Sequence, residues 1–94
     1  MARKELIPVK DFCIHHNIQY SFISDLENSG LISVTSLKRS AYIHPDDINK
    51  LEKFVRMHYD LEINIEGIET IHYLLEKIEE MQREIVNLGN KLQK

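Results

Sequence analysis

A mainly α fold, with one small β-hairpin and a long coiled-coil helix at its end, is predicted by three features of this 94-residue chain. Its last third carries large apolar residues at alternating intervals of three and four: Ile71, Leu74, Ile78, Met81, Ile85, Leu88 and Leu92. The middle, residues 31–43, changes to a period of two, with Ile32 and Val34, then Ala41 and Ile43, on either side of a polar stretch over residues 36–40. The first third sets Val9, Phe12 and Cys13, then Phe22, Ile23 and Leu26, on helical faces.

In chain order, residues 9–15 are predicted to form a short helix, with Pro8 just before it, where a missing N–H costs little. Asn17, Ile18 and Gln19 make a brief turn into a second helix, Tyr20–Asn28, and Gly30 suits the left-handed position after its end. Gln19 is a poor N-cap where Ser or Thr is preferred. Helix, tight turn, helix and glycine together outline a helix-turn-helix. The alternating stretch that follows is expected to be a hairpin wing, although no Asn-Gly type turn specifies it. Pro45 and the carboxylates of Asp46 and Asp47 open a third helix, where the dipole favours negative charge. Ile48, Leu51, Phe54, Val55 and Tyr59 supply its expected buried stripe, and it should end near Asp60.

Asn64 is a good N-cap for the last helix, with Ile63 and Ile68 placed as a hydrophobic staple. Gly67 in the first turn costs about 1 kcal/mol of helix propensity, which suggests close approach of a neighbour. Read from Asn64 to the end, the helix would run roughly 45 Å at 1.5 Å per residue, more than so small a head can cover. The chain is therefore expected to divide into a head, residues 1–62, and a dimerisation helix, residues 63–94. Ile71, Leu74, Ile78, Met81, Ile85, Leu88 and Leu92 form the seam of a homodimer. Alternatively, the seam folds back on its own head. Isoleucine at a and leucine at d favour two parallel strands. Parallel pairing, however, sets Lys77 against Gln82 and Glu84 against Gly89, whereas an antiparallel pair centred near Met81 sets Lys77 beside Glu84 of the other chain.

Composition narrows the function. No purely apolar run exceeds three residues, so no membrane-spanning helix is expected. The lone Cys13 and a first segment without an apolar signal core point to the cytoplasm. The net charge of −3 is unevenly spread: residues 1–43 sum to +1 and residues 44–94 to −4. A phosphate-coating protein normally shows a basic excess. Cys13, His15 and His16 are close in sequence, but adjacent histidines on a helix point about 100° apart and do not share one tetrahedral ion; His58 and His72 stand singly. There is no nucleophile triad and no Gly-rich phosphate loop, so neither enzymatic activity nor a cofactor or metal is expected.

The segments Asp11-Phe12-Cys13-Ile14-His15, Ser29-Gly30-Leu31-Ile32 and Ile63-Asn64-Ile65-Glu66-Gly67-Ile68, with the Arg56/Asp60-Leu61 pairing, carry a resemblance. The whole resembles a MerR-like winged helix-turn-helix, and these segments resemble the small chaperone-modulator (CbpM-type) family. The resemblance implies an adaptor that binds the J-domain of a DnaJ-like co-chaperone of the curved-DNA-binding-protein-A type and blocks its delivery to Hsp70. The competing expectation is a MerR-like transcription regulator bound to double-stranded DNA.

Two sets of side chains correspond to these readings. Candidate DNA contacts are Tyr20, Ser21 and Ser24 on the second helix and Lys38 and Arg39 at the wing tip, with Lys10 and Tyr42 nearby. That helix holds no Lys or Arg, where MerR-type regulators commonly carry arginine, and Lys38 and Arg39 also fit as solvated turn residues. The acidic side is better supplied, with seven Asp/Glu against Lys77 alone between Asp60 and Glu80. J-domains resemble one another in presenting a basic helix, so Asp25 and Glu27 or Glu66 and Glu69 are the candidate partner contacts. Solubilising charge is the plainer explanation of Glu76, Glu79 and Glu80, which lie opposite the seam.

Overall fold

The computed structural model describes residues 5–92. Its elements run β1 (Ile7–Pro8), α1 (Val9–His16), α2 (Tyr20–Asn28), β2 (Val34–Leu37), β3 (Ser40–Ile43), a 3₁₀ turn at Pro45–Asp47, α3 (Ile48–Val55), a π turn at Arg56–Asp60 and α4 (Ile65–Leu92). The architecture is the predicted one, a helix-turn-helix head with a small sheet and a long terminal helix. Among the described residues no helix is long and apolar enough to cross a membrane.

Both helices of the helix-turn-helix end by local backbone chemistry. Asn17 takes the left-handed conformation (φ 55°) and Ile18 N–H reaches back to the Cys13 carbonyl at 3.0 Å. Gly30 (φ 82°) ends α2, with Leu31 N–H donating to Leu26 O and Gly30 N–H to Glu27 O, both at 3.0 Å. These paired bonds satisfy carbonyls that a helix end leaves open. They also turn Leu31 and Ile32 into the core beside Leu26. Gln19, at the N-cap of α2, makes no side-chain capping bond.

The wing is tighter and the sheet larger than expected. The loop is only Lys38-Arg39, both at positive φ (48° and 69°), while Leu37 belongs to a strand and Ile32 lies in the core before it. Two left-handed residues in a two-residue loop match the right-handed twist of the flanking strands. This geometry holds the turn although neither residue is Asn or Gly. β3 is central: Val34 pairs with Ile43 on one side, and Ile7 pairs with Ile43 on the other. The two-residue β1 has no period to betray it in sequence, and Pro8 is tolerated because the strand is at an edge.

The core gathers Val9, Phe12, Cys13, Phe22, Ile23, Leu26, Leu31, Ile32, Ile43, Leu51, Phe54 and Ile68, so the first turn of α4 is anchored in the head. Leu51 and Phe54 of the predicted α3 stripe are buried, and Ile48 and Val55 are half-buried. Tyr59 departs from that expectation and is exposed. The cause is the π turn: Leu61 N–H bonds to Arg56 O at 3.1 Å, widening the helix by one residue and swinging Tyr59 out toward α2.

The base of α4 is built as its sequence suggests. Gly67 N–H donates to Asn64 Oδ1 at 2.8 Å, and Ile63 and Ile68 both pack on the core. The neighbour that requires glycine is this cap itself: a Cβ on Gly67 would lie 2.7 Å from Ile63 Cγ2 and 3.1 Å from Asn64 Oδ1. Along its base, α4 meets the head with Ile65, Ile68 and His72, and Leu75, still exposed, lines a groove with Phe54 and Met57. The residues predicted to form a seam lie elsewhere. Ile71 is half-buried, while the exposure of Leu74, Ile78, Met81, Ile85, Leu88 and Leu92 ranges from 46% at Ile78 to 85% at Leu92.

Candidate functional site

Two surfaces meet on α2. At its C-terminal end, Asp25, Asn28 and Ser29 face Ile65, Glu66 and Glu69 of α4 across an open groove of about 430 Å³. The fold thus joins three of the four predicted acidic contacts, drawn from two distant segments, into one surface with no basic residue in its lining. Glu27 is exposed but lies outside that lining, being rotated about 200° from Asp25 on a 3.6-residue helix.

The groove depends on how the chain enters α4. Glu62 is left-handed (φ 57°), and Ile63 N–H bonds to Met57 O at 2.9 Å. His58 Nδ1 lies 2.9 Å from Ile63 O, so this nitrogen carries the proton that the carbonyl accepts. The His58 ring stacks on Phe22 of α2 (centroids 4.6 Å, 18° between planes), and Tyr59 meets the same ring edge-on at 5.5 Å. Phe22 of α2 and the base of α4 are therefore clasped by the π turn between them. None of this had a local signature, because each contact spans residues far apart in sequence.

The second surface is a cleft of about 310 Å³ between the N-termini of α1 and α2 and strand β3. It brings Lys10, Tyr20, Arg39 and Tyr42 together, with the Asp11 carboxylate among them. Lys38 stands exposed at the adjoining tip. Ser21 is exposed and Ser24 half-buried, both outside the cleft and farther along α2. Ser21, Ser24, Asp25 and Asn28 have the spacing of one helical face. A duplex reading that face from the basic end would meet Asp25, Glu66 and Glu69 at the other.

Three of the histidines, His16, His58 and His72, pack on phenylalanine rings. His16 lies on Phe12 (4.1 Å) and 3.5 Å from Glu52, and His72 meets Phe54 edge-on at 5.5 Å. Among the described residues no group of three or more His, Cys, Asp or Glu is arranged to hold a metal ion. Burial raises the Cys13 thiol pKa above its ordinary range, which suppresses thiolate chemistry there.

Searches of curated proteins and of solved structures each returned no significant match. A family model, MerR HTH family regulatory protein, matches residues 7–90. That match runs from β1 to the last turn of α4, taking in the helix-turn-helix, the wing and both surfaces of α2, and the chain belongs to the MerR helix-turn-helix family of regulatory proteins.

Proposed function

We propose that this regulatory protein acts on another protein, as its resemblance to chaperone modulators implies. Its partner is the basic helix of a J-domain in a DnaJ-like co-chaperone, and occupancy masks that helix from Hsp70. The observation that carries this reading is the groove between α2 and α4, which Asp25, Glu66 and Glu69 line together with Ile65. α2 itself holds no Lys or Arg to neutralise phosphate. Carboxylates from two rigid helices give an orienting field that steers a cationic helix and fixes its angle more than it adds affinity.

The test is calorimetric titration with a J-domain from the same cell, alongside Hsp70 ATPase stimulated by the full co-chaperone. Binding that weakens with salt, together with loss of stimulation, is expected. Absence of binding at tens of micromolar overturns the reading.

DNA binding is the second reading, favoured by the strained cationic tip at Lys38-Arg39 beside Tyr20. Backbone strain of this kind concentrates at functional positions. Retention on a DNA column at low salt with elution by salt supports it, whereas flow-through removes it.

A further inference from the structure

We propose that the groove between α3 and α4 binds a small dipolar ion with an apolar body, of the class of a free amino acid with a large apolar side chain. This rests on the junction of α3 with α4 and not on the occupant of the acidic groove beside α2.

The groove, of about 300 Å³, lies where the long helix leaves the head. That volume is at the lower end of the roughly 300–1,000 Å³ of small-molecule sites, which often form between packed helices. Phe54, Met57 and Leu75 supply its apolar surface. Phe54 is buried and met edge-on by the His72 ring at 5.5 Å, so this side of the groove is fixed. Leu75 stays exposed opposite it, an apolar side chain that neither helix covers.

Charge is divided between the two walls. α3 brings Lys50 and Lys53, whereas α4 brings Glu76 and Glu79. A closed junction would let these opposite charges pair, yet no ion pair joins either lysine to either glutamate. Lys50 instead lies 3.9 Å from Asp47 on its own side, and Glu76 lies 3.6 Å from His72 on its own helix. Lys53 and Glu79 are exposed and have no ion-pair partner among the described residues. Asp46 also lines the α3 side, about two helical turns before Lys53. Lys53 is thus the lysine least opposed by a carboxylate of its own wall, and Glu79 is the open carboxylate of the other.

A ligand with both signs matches this field. Its carboxylate lies toward Lys53, its ammonium toward Glu79, and its side chain against Phe54, Met57 and Leu75. A ligand with one charge meets one wall that attracts it and one that repels it. Bound in this way, the dipolar ion ties α3 to α4 beyond His72 and fixes the angle at which the long helix leaves the head.

The experiment titrates the full chain with L-phenylalanine and follows backbone amide NMR shifts. A Kd of about 1 mM is expected, the affinity scale of so small a ligand, with shifts concentrated around Lys53, Met57, Leu75 and Glu79. Phenylpropionate, which lacks the ammonium, and phenethylamine, which lacks the carboxylate, should each bind about fivefold more weakly. Lys53→Gln should weaken phenylalanine about threefold to fivefold without weakening phenethylamine, and Glu79→Gln should do the same without weakening phenylpropionate. A merely structural role for either side chain would move all the probes together.

Both side chains are exposed, so the variants are expected to melt with the parent. The comparison of the probes on the parent chain needs no substitution and decides the matter if a variant fails to fold. Absence of shifts at about 20 mM phenylalanine, shifts centred away from the groove, or equal binding of the three probes would overturn the proposal. So would variants that leave phenylalanine binding unchanged.

Discussion

The Tyr59 hydroxyl accepts a hydrogen bond from the Gln19 backbone N–H at 3.1 Å, across 40 residues of sequence. It joins the turn of the helix-turn-helix to the π turn that launches α4, at an entry to α2 that no side chain caps. Tyr59→Phe keeps the ring against Phe22 and removes the acceptor. Its expected cost is about 0.5–1.5 kcal/mol, towards the low end because water reaches this exposed site. Tyr59→Ala also loses the edge-on ring contact, adding about 0.5–1.5 kcal/mol. Urea denaturation of both variants separates hydroxyl from ring; equal stabilities would show that the hydroxyl alone matters.

Two glycines of α4 are expected to respond to alanine with opposite signs. At Gly89 a Cβ meets nothing within 4 Å, so Gly89→Ala should gain about 1 kcal/mol of helix propensity. At Gly67 the same Cβ would sit 2.7 Å from Ile63 Cγ2 and press on the Asn64 cap. The isoleucine methyl is attached directly to a branched, packed Cβ and yields poorly. Gly67→Ala should therefore lower stability by about 1 kcal/mol or more, the scale of a lost cap. Thermal melts of the pair check the signs, and a stabilising Gly67→Ala would refute the close approach.

What could be read from sequence follows the range of the interaction. The Gly30 exit and the Asn64 cap are written within a few residues, and the structure has them where local rules put them. Phe54 and Leu51 were legible as core because α3 is amphipathic. Tyr59 was not, because a single π turn breaks the period that placed it. The short β1 and the two-residue wing tip lacked local signals, since β1 exists only by pairing with β3. The acidic candidates looked like two alternatives, Asp25 with Glu27 and Glu66 with Glu69. Only the packing of α4 beside the end of α2 places Asp25, Glu66 and Glu69 around one groove and leaves Glu27 outside.

The wing tip stores strain that substitution can release. Lys38 and Arg39 both sit at positive φ, which costs a non-glycine residue about 1–2 kcal/mol. Lys38→Asn with Arg39→Gly supplies the residues this turn prefers, and is expected to raise stability by about 1–2 kcal/mol. The same variant removes two cations, so any retention on a DNA column should fall with it. A melting temperature that drops would contradict the geometry of the turn.

Cys13 gives a pH dependence with a definite sign. Burial raises its thiol pKa in the folded protein, so the folded state holds this proton more tightly than the unfolded chain does. Its contribution to stability is complete below the unfolded value of about 8.5 and declines as pH rises through the folded value. Stability of the parent should fall more steeply above this point than that of Cys13→Ala, which lacks the group. Denaturant midpoints measured from pH 7 to 10 test this; parallel curves would remove the linkage.

If the groove between α2 and α4 holds a cationic helix, its carboxylates act together and Glu27 stands apart. Asp25→Asn, Glu66→Gln and Glu69→Gln combined should slow association with a J-domain about tenfold at low salt, within the range of electrostatic steering. The difference from the parent should shrink near physiological ionic strength, where charges more than about 8 Å apart are screened. Glu27→Gln alters the same helix by one charge but lies outside the groove, so it should bind as the parent does. Stopped-flow association across a salt series distinguishes the cases. If Glu27→Gln proves weak and the triple variant normal, the partner lies on the opposite side of α2, and the convergence of Asp25 with Glu66 and Glu69 has no part in recognition.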